Sequence, residues 1–525
     1  MAQTWEQPGS TNEPVAVVID DDISQVSSED VAKPNVTVLT EYDPVELDAN
    51  LDARYIPKKS VWSWALWDWS TQPFSSIIIT FVFIPLYLTN NAFLDPRYLA
   101  LPVNDPIRIH ALDDLAASIG AWVTIAGIIT ALLIPILSRR VQQPGRIKKK
   151  LAIANILLIL VMLALFLLRP EYQFFTLGAA LIAFGLVLDT IANVYYNSLL
   201  PSVSSSSNRG LISRMGWGAG YLAGVLALFV VLMLELTDWF GHLDSLGLNR
   251  FRFIALACAI WALLFGWALY LFVPEPTADF GSADAGVGET RDGLGFSGRR
   301  ARIVSSYTSI FDTMRDLFNN SPKTFWFLVA AAIYRDGLAG ILTFGAIIAA
   351  ITFGFTPQMV LLFGVLAYLV IGFATQLVGR LNDLWGARRV IIISLAVLLA
   401  AGLLALILHN LGPVVFWIFG LVLCAVLGPV QAASRSYLEQ VTPPAQATEV
   451  FSFYAITSKA ASFLSAGMWT VFIAAFGATI WGLLGILLVI AVGLGALMFL
   501  VPDAGHSAEG DSNAFLMQYG EVRDD

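Results

Sequence analysis

The chain has 525 residues, of which 57% are hydrophobic and 13% charged, and its formal net charge is -9. Soluble domains are normally about 45 to 50% apolar, so this composition excludes a soluble protein and indicates a polytopic membrane protein. The acidic balance comes largely from an N-terminal tail, and we expect no nucleic-acid partner.

The two ends of the chain are polar. Residues 1–60 are acidic and poor in aromatic residues, and residues 502–525 have a similar character. This composition predicts disordered tails. No basic stretch followed by an apolar core begins the sequence, so we expect no cleavable signal peptide and expect the first span to direct insertion.

Twelve apolar stretches lie between these tails, each long enough to cross a bilayer. A span needs about 20 residues, because the hydrocarbon core is about 30 Å thick and a helix rises about 1.5 Å per residue. The spans are predicted at 61–90, 115–138, 151–168, 174–200, 211–234, 252–273, 324–350, 358–379, 390–409, 413–437, 450–475 and 477–501. Since lipid cannot satisfy exposed backbone groups and no barrel-like alternation occurs, we predict an all-α polytopic fold.

The spans form two six-helix halves, 61–273 and 324–501, joined by a polar segment at 274–323. Basic residues concentrate in that segment and in the loops after the second and eighth spans, so the positive-inside rule predicts that both termini are cytoplasmic. Apolar residues recur at helical spacing over 301–318. This pattern predicts an amphipathic helix at the cytoplasmic membrane surface or, as an alternative, a solvated linker helix.

Signs of cofactor chemistry are missing from the sequence. Both cysteines, Cys258 and Cys424, lie inside predicted spans, so a disulfide or a metal site is not expected. No phosphate-binding loop of the Walker type occurs, so the chain should carry no ATPase of its own. We therefore expect neither a cofactor nor an enzymatic activity.

Charged residues inside the spans indicate the functional site, because an ionised side chain at mid-membrane costs about 2.5 to 3.5 kcal/mol and usually faces a cavity or a partner. Spans 1, 4, 7, 10 and 11 carry such residues, and the first four are equivalent positions in a bundle built from two repeats. Amides at helical spacing extend the same faces. The predicted cavity residues are Asp68, Gln72, Asp189, Asn193, Asn197, Arg335, Asp336, Gln431, Arg435 and Lys459.

Several of these residues have a structural alternative. Asp68 could be a helix-packing acid, and Lys459 could either neutralise an acid or bind a substrate carboxylate. Arg335 and Asp336 point about 100° apart, so one should pair across helices while the other faces the cavity. An interfacial aromatic belt explains the tryptophans of the first span better than stacking on a substrate does: Trp62, Trp64, Trp67 and Trp69.

The loop after the eighth span, GRLNDLWGARR, resembles the G-x-L-x-D-x-x-G-x-[RK]-[RK] signature of the major facilitator superfamily. In that family spans 1, 4, 7 and 10 line a central cavity, and the acid and bases of the signature form a gate between helices at the cytoplasmic face. The resemblance implies that the gate residues are Gly379, Asp383, Gly386, Arg388 and Arg389. The equivalent loop of the first half has Gln142 where the acid is expected.

Further segments resemble a narrower group, the unknown-major-facilitator family, which is similar to the autophagy-related vacuolar amino-acid effluxer of fungi. These are WSWALWDWSTQPFSSIIITFVFIPLY at Trp62, YYNSLLP at Tyr195, ISRMGWGAGYLAG at Ile212, IYRDGLAGI at Ile333 and GPVQAASRSYLEQVTP at Gly428. Where this family usually has Tyr before its first acid, the chain has Trp67. The resemblance implies an exporter of small solutes, with amino acids as candidates.

The sequence thus predicts a secondary active transporter that moves a small polar solute by alternating access, driven by an ion or proton gradient. Acids and bases in one cavity would suit a zwitterion such as an amino acid. We expect a monomer in the lipid bilayer of a bacterial plasma membrane. The alternatives are a sugar or nucleoside carrier and a transporter-fold receptor or scaffold. An enzyme acting on lipid-linked sugars is less favoured, because the cytoplasmic loops lack an acidic metal cluster.

Overall fold

The computed structural model describes residues 56–141, 146–205, 208–239, 248–275, 296–442, 450–451, 453–454, 457 and 461–501. The two predicted tails, apart from residues next to the first helix, lie outside these ranges, as do Gln142 and Lys459. Gly379 and Asp383 belong to a helix, but their surroundings lie outside the described part.

Long helices account for most of this part of the chain. They are α1 (Lys58–Pro73), α2 (Pro106–Val141), α3 (Ile147–Leu167), α4 (Phe175–Ser198), α5 (Arg209–Leu236), α6 (Asn249–Phe272), α7 (Phe296–Asn320), α8 (Pro322–Ile351), α9 (Pro357–Trp385), α10 (Ala387–Ile407), α11 (Pro413–Val441), α12 (Leu464–Phe476) and α13 (Thr479–Leu500). Helices α1–α6 and α8–α13 correspond in order to the predicted spans. Among the described residues, 11 helical stretches are long and apolar enough to cross a membrane, and α12 is a shorter apolar helix of 13 residues.

The first span continues beyond α1 in a wider helical form. In the segments Phe74–Phe81 and Phe83–Leu88, backbone hydrogen bonds reach back five residues, as from Val82 N–H to the Ile77 carbonyl at 2.9 Å. Pro73 and Pro85 lack the N–H that would continue the α-helical ladder, which favours this rearrangement. Such widened turns are frequent at functional sites. Here they pack against α8 of the second half.

The two six-helix halves repeat one packing pattern. In the first half α2 packs on α4, α3 packs on α4 and α6, and α1 packs on α6; the equivalent pairs of the second half are α9 with α11, α10 with α11 and α13, and α8 with α13. The halves meet where α2 contacts α12 and where α5 contacts α9, two contacts that correspond to each other in the repeat. The predicted all-α fold of two related halves is therefore confirmed.

Helix α7 crosses between the halves. The Tyr307 hydroxyl donates a hydrogen bond to the Leu132 carbonyl of α2 at 2.5 Å, and Phe318 packs edge-on against Phe325 of α8 at 5.3 Å between ring centres. Phe311 stays 67% exposed on the same helix. The place of α7 at the membrane surface stays a prediction.

Helices α8 and α13 cross at Gly493 with no room for a side chain. A Cβ atom there would lie 2.7 Å from the backbone nitrogen of Tyr334, so the two backbones would have to separate. We expect Gly493→Ala to lower the free energy of unfolding by about 1 to 3 kcal/mol, as overpacking does in cores. At Gly495, on the same helix, an added Cβ would meet nothing within 4 Å. Thermal unfolding of both purified variants checks this, and equal melting temperatures would contradict the close crossing.

Candidate solute cavity

The acidic side of the site lies on α1 and α4 of the first half. Asp68 is half-buried, and it faces α5 where a Cβ on Gly220 would lie 3.2 Å from the Asp68 carboxyl carbon and 3.3 Å from Gln72 Oε1. Asp189 of α4 lies close enough for its charge to repel that of Asp68. Within the described residues, neither a cation nor a hydrogen-bond donor pairs with Asp68. The carboxylate is therefore unpaired among the described residues.

A stack of aromatic rings lies beside this acid. Tyr196 lies between Trp64 and Trp67, with ring centres 4.5 Å and 4.1 Å away, and both tryptophans are almost fully buried. The buried Tyr196 hydroxyl, which has no hydrogen-bond partner in the described structure, interacts electrostatically with Asp68. The aromatic-belt interpretation is thus wrong for Trp64 and Trp67, because their rings pack inside the first half. Trp62, 60% exposed, remains compatible with a belt.

The polar stripe predicted on α4 forms one face of that helix. Asn193 donates from Nδ2 to the backbone carbonyl of Asp189 at 3.0 Å, and Asn197 donates in the same way to Asn193 at 2.8 Å. The amide groups thus satisfy themselves on their own helix, leaving Asn193 half-buried and Asn197 exposed. Of the three, Asp189 is the one that the structure brings to Asp68.

The basic side of the site belongs to the second half. Arg335 of α8 donates to the Tyr454 carbonyl at 3.1 Å, and its guanidinium lies 4.1 Å from the centre of the Tyr454 ring. Arg435 of α11 lies 4.7 Å from the centre of the Trp217 ring and is close enough to Arg335 for the two charges to interact. No carboxylate within the described ranges pairs with either arginine. Gln431 is half-buried one turn before Arg435 on α11.

Two tyrosines connect the acidic and basic sides. Gln72 donates from Nε2 to the Tyr368 hydroxyl of α9 at 3.2 Å, which is a hydrogen bond between the halves. The Tyr368 ring packs on Tyr221 of α5, with centres 5.6 Å apart. Tyr221 in turn interacts electrostatically with both Asp68 and Arg435. These contacts therefore link the two sides of the candidate cavity, with its acids on the first half and its arginines on the second.

Asp336 does not belong to this cavity. It is 3% exposed, and its Oδ2 accepts a hydrogen bond from Ser465 N–H at 2.5 Å. Helix α12 begins at Leu464, so the carboxylate satisfies one of the unpaired N–H groups of its first turn. The expectation that Asp336 lines the cavity is corrected for this reason: it is the neighbour that pairs across helices, whereas Arg335 contacts Tyr454 and lies near Arg435.

The signature loop joins α9 to α10. Gly386 has φ +79°, which a residue with a side chain rarely adopts, so glycine permits the tight connection. Arg388 donates to the carbonyls of Leu497, Met498 and Val501 at 2.8 to 3.3 Å, and thereby holds the C-terminal end of α13. Arg389, next to it, is exposed. A gate formed by the acid of the signature stays a prediction.

Sequence reasoning missed the aromatic residues that complete the cavity: Trp217, Tyr221, Tyr368 and Tyr454. An aromatic residue in a span looks the same whether it packs in the core or lines a cavity. One signal was present on α5, where Gly216, Gly220 and Gly224 recur every four residues. Small residues at this spacing allow close helix approach, and here they make room for the side chains of α1 and α9.

Comparison with known proteins agrees with this architecture. Residues 57–509 match the family model described as vacuole effluxer Atg22 like. The uncharacterized MFS-type transporter YxiO of Bacillus subtilis (strain 168) is 23% identical over 454 residues, which cover 84% of this chain and 94% of that protein. Here MFS denotes the major facilitator superfamily.

Solved structures show the same fold at low identity. A D-xylose-proton symporter superposes with a TM-score of 0.58 at 14% identity, covering 85% of this chain and 97% of that one. A mutant of the nucleoside transporter NupG superposes with a TM-score of 0.51 at 14% identity, covering 85% of this chain and 100% of that one. Since the family model spans most of the sequence, the chain belongs to the vacuole effluxer Atg22-like family and is an MFS-type membrane transporter.

Proposed function

We propose that this transporter moves a small zwitterion of the amino-acid type, whose ammonium group binds the first half and whose carboxylate binds the second. The observation that carries the proposal is the division of charge in the cavity. Asp68 has no cation partner on its side, and Arg335 and Arg435 have no carboxylate partner on theirs, among the described residues. Charges held inside a membrane are costly unless they are paired. A solute with one charge of each sign would pair both sides at once.

The division of charge also suits alternating access. In this mechanism two halves rock about a central site and expose it to each side in turn. A zwitterion that bridges Asp68 and Arg435 would draw the two halves together around itself, because each half holds one of its charges. A neutral sugar or nucleoside would leave both sets of charges unpaired. The xylose symporter and the nucleoside transporter are only 14% identical to this chain. They therefore support a common fold and do not indicate which solute this chain moves.

Efflux is the direction that we propose, from the cytoplasm across the plasma membrane, with both termini on the cytoplasmic side. A proton is the favoured coupling ion, because Asp68 and Asp189 lie close enough to repel each other and one bound proton would relieve that repulsion. Transport by an Asp189→Asn variant tests this role in proteoliposomes. We expect it to lose its dependence on an imposed pH gradient, whereas unchanged transport at every pH would remove Asp189 from coupling.

Counterflow into proteoliposomes tests the substrate class. Vesicles loaded with one unlabelled solute class would be offered the same class in labelled form, taking amino acids, pentoses and nucleosides in turn. We expect accumulation of amino acids alone. Accumulation of only a sugar or a nucleoside would replace the proposal by a neutral-solute carrier. Failure of every class, with no solute raising the melting temperature, would favour a receptor or scaffold.

A methyl group placed against Asp68 should impair solute binding. At Gly220 an added Cβ would lie 3.2 to 3.3 Å from the carboxyl group, tighter than ordinary contact, so the carboxylate must shift. We expect Gly220→Ala to weaken amino-acid binding about tenfold, or about 1.4 kcal/mol. Gly218→Ala on the same helix is the matched control, since its Cβ would meet nothing within 4 Å. Competition in the counterflow assay measures both affinities, and equal loss in the two variants would contradict the contact.

A further inference from the structure

Hydrogen bonds join the two halves at one end of the bundle. We call it the outer end: it holds the start of α2, α9 and α13 and the end of α5, and it is opposite the basic loops that follow α2 and α9. The positive-inside rule places this end outside the cytoplasm. Each contact there is a hydrogen bond between a residue of the first half and a residue of the second, so the contacts report directly on whether the halves are closed together.

One contact is a helix cap supplied by the opposite half. Asp113 of α2 is 5% exposed, and its Oδ1 accepts hydrogen bonds from Thr479 N–H at 2.8 Å and from the Thr479 hydroxyl at 2.5 Å. Thr479 begins α13, and the residue before it, Ala478, has no side chain that could cap the helix. The first N–H groups of a helix need an acceptor from elsewhere. Asp113 provides that acceptor across the boundary between the halves.

Further bonds lie on the same boundary. Trp469 donates from Nε1 to the Ala116 carbonyl at 3.1 Å, and the Thr470 hydroxyl donates to the Ala117 carbonyl at 3.2 Å. A Cβ on Gly120 would lie 2.3 Å from the Trp469 ring, so α2 and α12 are in direct contact there. This face is therefore closed over about two turns of α2 inward from the cap.

The corresponding boundary between α5 and α9 also has a carboxylate. Glu235 at the end of α5 accepts a hydrogen bond from Gln358 Nε2 at the start of α9, at 3.1 Å. Arg250 of α6 holds the same carboxylate in an ion pair at 2.8 Å. Both boundaries thus place an acid of the first half against the first turn of a helix of the second. The two contacts differ in their donors: Asp113 accepts from a backbone N–H of its helix, whereas Glu235 accepts from a side-chain amide.

We propose that Asp113 is the latch of the outer end, and that its bonds to Thr479 must break before the cavity opens to that side. Separating the halves would leave the first turn of α13 without its cap and the buried carboxylate without its donors. Because the closed arrangement avoids both losses, these hydrogen bonds stabilise it over the open one. The latch is independent of the solute and of the direction of transport, so it stands or falls separately from the proposed function.

Distance measurement between spin labels tests the latch. Val103 of the first half and Leu411 of the second are 69% and 70% exposed at the outer end, and each would be replaced by Cys after the buried Cys258 and Cys424 are replaced by Ser. Electron double resonance on the solute-free protein in nanodiscs would give the distribution of label distances. We expect Asp113→Ala to raise the ratio of long-distance to short-distance populations about tenfold or more, since it removes a charge-assisted acceptor. A distribution unchanged from the parent overturns the proposal.

Two further variants secure the result. Asp113→Asn keeps one acceptor oxygen but no charge, so we expect the ratio of long-distance to short-distance populations to rise about threefold. If the alanine variant does not fold, the asparagine variant alone tests the proposal. No rise in a folded asparagine variant would then overturn the latch. Asp95→Ala is the control, because Asp95 is an outer acid whose partner, Arg97, lies in its own half at 2.9 Å. A rise of the same size in that control would also overturn the assignment to Asp113.

Discussion

Replacing Arg435 by Gln is expected to weaken binding of a free amino acid about 30-fold or more. Removing one partner of a desolvated charge pair typically costs 2 to 5 kcal/mol, and 2 kcal/mol corresponds to about 30-fold. Arg435 is suited to this role because its guanidinium lies against the Trp217 ring, with no acid beside it in the described structure. Competition by unlabelled amino acid in the counterflow assay measures the affinity.

Solute analogues separate the two ends of the cavity. An amino alcohol lacks the carboxylate, so its affinity should be nearly the same in the parent and in Arg435→Gln. An N-acetylated amino acid lacks the ammonium charge, so Asp68→Asn should leave its affinity nearly unchanged while weakening the parent amino acid. Arg97→Gln, on an exposed outer loop, controls for the loss of a positive charge. If Arg435→Gln weakens the amino acid and the amino alcohol equally, Arg435 does not bind the carboxylate.

The fold could be predicted well from the sequence, because a lipid environment demands long apolar helices. The ends of the helices were harder to place. The second span was predicted at 115–138, but α2 begins at Pro106, since more than two further turns, which carry Arg108 and Asp113, extend the helix beyond its apolar part. Hydropathy ignores such turns. Here the missed turns contain Asp113, whose carboxylate accepts from the first residue of α13.

The charged members of the candidate cavity could be chosen from the sequence, because charge inside a span is rare and therefore visible. Their arrangement could not. The meeting of Asp68 with Asp189 and the bond from Gln72 to Tyr368 depend on how α1, α4 and α9 pack, which helical spacing does not determine. Spacing did show that Arg335 and Asp336 face different directions. It could not show which of them faces the cavity.

Replacing Asp336 by Ala is expected to lower the free energy of unfolding by about 2 to 4 kcal/mol, because an N–H group without a partner is costly away from water. The group in question is Ser465 N–H in the first turn of α12, which donates to the Asp336 carboxylate. Asp336→Asn keeps an acceptor oxygen and should cost only about 1 kcal/mol. Thermal and denaturant unfolding of the purified variants measures both values.

The substitutions Asp68→Asn and Asp336→Asn distinguish an acid that stabilises the fold from an acid that takes part in transport. Asp68→Asn should retain nearly the full stability, since no described residue pairs with the carboxylate, and should lose amino-acid transport. Asp336→Asn should show the reverse: reduced stability, with transport per folded molecule and its response to a pH gradient retained. A stable Asp336→Asn protein that no longer responds to the gradient would contradict the cap and assign the coupling proton to Asp336. The presence of a charge inside a span does not separate a structural role from a transport role. The hydrogen-bond partners do, because Asp336 has a backbone donor and Asp68 has none among the described residues.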